Sequence, residues 1–100
     1  MKCWEDASSG DRKLFEAISE LLAGKPYLLM FLFDPQKPKL NGSSRDILAT
    51  ANGFGSIDLL LVRVVLDLWS GSGNVTVYEV LDAGRDVSGL IFAAIARLVA

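Results

Sequence analysis

At 100 residues, with 51% apolar side chains and a mean hydropathy of +0.36, the chain has length for one core and no more. A domain that small cannot bury so large an apolar share, which points to an exposed apolar patch and hence to a homo-oligomer or another protein partner. The formal charge of −2 opposes general nucleic-acid affinity, and the absence of histidine removes Ser-His-Asp and Cys-His nucleophiles, His-ligated zinc and the usual general base near neutral pH.

Cys3 is the only cysteine, so an intrachain disulfide is excluded and a reducing, cytoplasmic setting is expected. The opening MKCWEDASSGDRK lacks an apolar central region, so it reads as a frayed segment (residues 1–8) and not as a secretory signal. No apolar run reaches the ~20 residues of a membrane span. The expectation is a single domain over 1–100 with no membrane contact.

Ser9 or Asp11 can cap a first helix, whose stripe is Leu14, Phe15, Ile18, Leu21 and Leu22, with Gly24 and Pro26 ending it. The continuous apolar run Pro26–Phe33 reads as a strand buried on both faces. Asp34 to Gly42, with two prolines, two lysines and Asn-Gly, reads as a loop. Ser43 with Asp46 resembles a capping box, and Ile47, Leu48, Ala51 and Phe54 give a short second helix stopped at Gly53.

Residues 57–69 are ambiguous. Arg63 and Asp67 are spaced i,i+4, as on a helix face, but Val62, Val64 and Val65 are β-branched and Ser70-Gly-Ser-Gly-Asn74 precedes Val-Thr-Val-Tyr-Glu-Val. A β-hairpin is the favoured reading. The last helix spans about Asp86 to Leu98, with Gly89, Ala93 and Ala96 on a second, smooth face. The predicted fold class is therefore α/β (α+β), a mixed sheet of about three strands with helices packed on it, in the order α-β-α-β-β-α.

Three groups of residues are candidates for function. Asp58 and Glu79 would lie on neighbouring strands, and Glu16 on the first helix can reach the same sheet edge; carboxylates held close repel and recruit Mg²⁺ or Mn²⁺. The structural alternative pairs Glu79 with Arg63 across the sheet. Lys37, Lys39 and Arg45, with Lys25, make a locally basic segment suited to phosphate contact: residues 25–45 hold four basic residues and one acidic, leaving six basic and eleven acidic elsewhere. Trp69 and Phe54, with Trp4 and the Gly89/Ala93/Ala96 face, form the apolar candidate for an interface.

The order Glu16, Gly55-Ser-Ile-Asp58, Glu79-Val-Leu81 resembles the PD-(D/E)xK restriction-endonuclease-like superfamily. That resemblance implies a degenerate nuclease-like fold that binds nucleic acid or a divalent metal, with Leu81 standing where the family has its lysine. A fainter likeness to thioredoxin lacks the Cys-x-x-Cys pair, which is Asp34-Pro-Gln-Lys37 here. The leading expectation is a non-catalytic domain acting through protein contact, self-associating and without a cofactor. The nuclease-like reading stands as its alternative.

Overall fold

A computed structural model describes residues 9–34 and 39–99, and places in them six helices: α1 (Ser9–Leu21), α2 (Pro26–Leu32), α3 (Ser44–Ala51), α4 (Ser56–Ser70), α5 (Val77–Asp82) and α6 (Arg85–Val99). Among the described residues there is no strand, only an isolated antiparallel bridge between Phe33 and Leu40. The expected three-stranded sheet is therefore wrong, and the nuclease-like and thioredoxin-like element orders fall with it. Cys3, Trp4, Lys37 and the segment 1–8 expected to be frayed lie outside the described residues, as do the side chains of Ser9 and Asp11.

All three misread segments have local reasons to be helical. Pro26-Tyr-Leu-Leu-Met-Phe-Leu32 contains no β-branched residue; Leu and Met, four of its seven residues, lose little in a helix, and Pro26 stands at the first turn, where its missing N–H costs nothing. Leu28 and Leu32, one turn apart, are buried, whereas Tyr27 and Met30 face outward. A strand buried on both faces would not expose alternate sides in that way.

Residues 56–70 form the most buried helix. Leu60, Leu61, Val62, Val64, Val65 and Leu66 are all buried, because α1, α2 and α3 pack around α4. A helix covered on most sides carries an almost unbroken apolar run, so its valines reflect burial and not strand propensity. The Ser/Gly segment after it is a helix stop. Gly71 adopts φ 69° and the Ser72 N–H reaches back to the Leu66 carbonyl at 3.3 Å, closing the last turn.

Thr76-Val-Tyr-Glu79 is a complete capping box. The Thr76 hydroxyl accepts from the Glu79 N–H at 3.1 Å, and the Glu79 carboxylate accepts from the Thr76 N–H at 3.1 Å, starting α5 where a second hairpin strand was expected. Elsewhere the punctuation holds. Ser43 caps α3 by accepting from the Asp46 N–H, and α6 occupies Arg85–Val99.

The core joins α1 (Ala17, Ile18, Leu21), α2, α4 and the inner face of α6 (Ile91, Ala94). Phe33 bridges Phe15 and Trp69 in edge-to-face contacts at 5.4 and 5.0 Å. Helix α6 packs on α1 and α5 and forms one flank of the molecule.

Candidate protein-contact surface

Two residues one turn apart on α4 position α5. Asp67 accepts three backbone N–H groups from the connecting loop: Gly73 at 2.9 Å, Asn74 at 3.2 Å and Val75 at 3.1 Å. Arg63 donates from Nε to the Gly73 carbonyl at 3.0 Å, from Nη2 to the Asn74 carbonyl at 2.5 Å, and to the Glu79 carboxylate. Loop and helix are thus fastened to α4 by one acid and one base. On the other side, the buried Ser88 hydroxyl of α6 donates to the Val80 carbonyl at 2.5 Å.

Held this way, α5 buries Val80 and turns Val77, Tyr78 and Leu81 outward, the last three at 68%, 75% and 59% exposure. Its solvent face is thereby mostly apolar, the reverse of an ordinary surface helix. Between α4, α5 and α6 runs an open groove of about 310 Å³, lined by Val64, Leu68, Val75, Val77, Phe92 and Ile95 among others.

Helix α6 continues the same surface. From Val87 to Ala96 it has no ionisable residue, and its one hydroxyl, Ser88, is turned inward. Val87, Ser88, Ile91, Ala94 and Leu98 face the core, so Gly89, Ala93 and Ala96 fall on the opposite side and are exposed. A methyl group added at Gly89 would meet nothing within 4 Å. Leu90 flanks this smooth stripe on one side; Phe92 and Val99 flank it on the other, with Val99 80% exposed.

The other sequence candidates are placed differently. Trp69 is no hairpin tip; it lies half-buried against Phe33, and Phe54 lies half-buried against Phe31 at 5.2 Å. The three carboxylates of the metal reading are held by three different cations. Asp58 accepts from Lys25 at 2.8 Å and Tyr27 at 2.9 Å, Glu79 is bound by Arg63, and Glu16 meets Arg97 at 3.3 Å. Arg97 also pairs with Glu20.

The lysine hydrogen bond holds the Asp58 carboxyl below its ordinary pKa, against partial desolvation, and Asp58 in turn raises Lys25. Glu79 is likewise lowered, first by Arg63 and then by the Thr76 N–H. Among the described residues no group of three or more His, Cys, Asp or Glu is placed to hold a metal ion. Lys39 and Arg45 are exposed, while Lys37 lies outside the described residues. No helix of the described residues is long and apolar enough to cross a membrane.

The signal missed in the sequence was the Thr76-x-x-Glu79 box. Read as a helix start, it turns Val77, Tyr78 and Leu81 from alternating strand residues into one outward face. No family model, curated protein or solved structure matches the chain.

Proposed function

We propose that the protein acts through protein contact and associates with itself, and that the outer surface of α5 and α6 is the contact. The observation that carries this reading is the ten-residue stretch Val87–Ala96, uncharged throughout, whose outward side is covered by no described residue. A helix apolar all round is ordinarily covered on all sides, and here only the inner side is. The exposed Val77, which shares a groove with Phe92 and Ile95, extends the apolar area onto α5. A net charge of only −2 offers little self-repulsion between copies.

Light scattering over a dilution series tests this reading, comparing the wild type with Phe92→Lys, a substitution on the outer surface whose helicity is checked by circular dichroism. The wild type is expected to exceed monomer mass as concentration rises, and the lysine variant to remain monomeric. A wild type that is monomeric throughout, or a variant that assembles equally well, overturns the reading.

A further inference from the structure

We infer that a second groove, between α4 and α5, binds a small amphipathic monoamine whose ammonium lies beside Asp82 and Tyr78. The groove has a volume of about 370 Å³, at the small end of ligand sites, and no residue of α6 lines it. Val77 and Val80 line the groove toward α6, whereas Tyr78, Glu79 and Asp82 line this one. Its remaining wall is apolar, made by Ile57, Leu59 and Leu60 of α4 together with Ala83.

The polar groups of the groove are not equally available. Arg63 already spends four of its five N–H groups, on the Gly73 and Asn74 carbonyls and on Glu79. Both Glu79 oxygens are occupied in return, by Arg63 and Thr76. Asp82 differs: it is exposed, and its carboxylate has no hydrogen bond or ion pair with any described residue. Tyr78 lies one turn before it on the same side of α5, 75% exposed and equally without a side-chain partner among the described residues. A carboxylate beside an aromatic ring favours a cation as its guest.

The charge of the surroundings points the same way. In the lining, Arg63 against Glu79 and Asp82 leaves one net negative charge. Beyond it Arg85 and Asp86 cancel, as do Lys25 and Asp58, and Asp67 adds a further negative charge. The positive end of the α4 dipole at Ser56 is offset by the negative end of α5 at Ala83, which lines the same groove. An anion is therefore disfavoured, and a neutral ligand gains nothing from Asp82. An ammonium on an apolar body uses both the carboxylate and the apolar wall.

Phenethylamine, protonated at neutral pH, is the probe, and 2-phenylethanol is the same body without the charge. Backbone amide shifts are followed by NMR while each is titrated into the wild type, Asp82→Asn and Phe92→Lys, with circular dichroism confirming each fold. The amine is expected to bind the wild type at about millimolar Kd, shifting residues 57–60 and 82–83. The alcohol should bind at least about fivefold more weakly, and Asp82→Asn should reduce the amine to the level of the alcohol. Phe92→Lys should bind the amine as the wild type does, so the outcome stands apart from that of self-association. Equal binding of alcohol and amine, or undiminished binding by Asp82→Asn, overturns the proposal. So do shifts confined to α6, and so does the absence of any shift up to about 10 mM amine.

Discussion

Gly73 sits so close to α4 that a Cβ built on it would fall 1.8 Å from the Arg63 carbonyl oxygen and 3.0 Å from the Asp67 nitrogen. The obstacle is helix backbone and cannot swing aside. Gly73→Ala should therefore cost about 1–3 kcal/mol or more and lower the urea midpoint, because the loop must lift and the Asp67 and Arg63 bonds to it must lengthen. An alanine variant as stable as the wild type would contradict the close approach. Gly71, at φ 69°, is required for a different reason, the left-handed helix stop.

The carboxylates of Asp58 and Glu79 contribute in a definite pH window. Both are lowered in the fold, Asp58 chiefly by Lys25 and Glu79 chiefly by Arg63. As pH falls, the unfolded chain takes up these protons before the folded chain does. Their stabilisation is thus full above the ordinary carboxylate range and is lost as pH drops through the lowered folded values. Urea midpoints measured from pH 7 down to pH 3 should fall, and the fall should be shallower in Asp58→Asn. Lys25, raised by the same pair, has the opposite sign: its share is present below its ordinary pKa and is lost as pH rises through the raised value.

At the scale of elements, the helices with clear punctuation were legible. The stripe of α1, the Ser43 cap of α3 and the long apolar period of α6 are local signals that burial reinforces. The other three were misjudged through composition. Apolar runs of seven residues do not distinguish a covered strand from a short helix by period alone, and in Pro26–Leu32 the absence of β-branched residues was the deciding clue. In α4 the valines pointed the wrong way, because burial by three neighbouring helices outweighs a weak propensity. The i,i+4 spacing of Arg63 and Asp67 was the correct sign: it allows both to grip one loop. The expected Arg63–Glu79 pair exists, but it joins two helices and not two strands.

Trp69 tests the same level. Its ring lies edge-on to Phe33, which in turn meets Phe15, linking the end of α4 to the end of α2 and to α1. Trp69→Ser should cost about 2–4 kcal/mol, read as a lowered Tm, while leaving the solution mass at a given concentration unchanged. A loss of assembly without loss of stability would place the interface at this end of the molecule instead.

For the molecule as a whole, α4 is the covered centre and α6 the half-covered flank. The charged residues show the same division. The ionic contacts of Arg63, Lys25 and Arg97 fasten α5 to α4, the start of α2 to α4, and α6 to α1, so they serve internal positioning. Between Val87 and Ala96 the outer side of α6 carries no charged group, and the proposed contact lies there, bordered by the exposed Asp82, Arg85 and Asp86. Surface ion pairs of this kind contribute little each, so the assembly would rest on apolar area and not on charge.

Residue counts and one helical period alone give the lack of histidine, the lone cysteine that rules out a disulfide within these 100 residues, the excess of apolar side chains, and the smooth Gly89/Ala93/Ala96 face. Only the tertiary structure decided which apolar residues are spare. Whether a leucine or valine is core or surface depends on which neighbours fold over it, and those neighbours are distant in the chain. Trp69 and Phe54 found aromatic partners within the molecule, whereas Val77, Tyr78 and Leu81 found none among the described residues, because the capping box and the Arg63–Asp67 grip turn α5 outward.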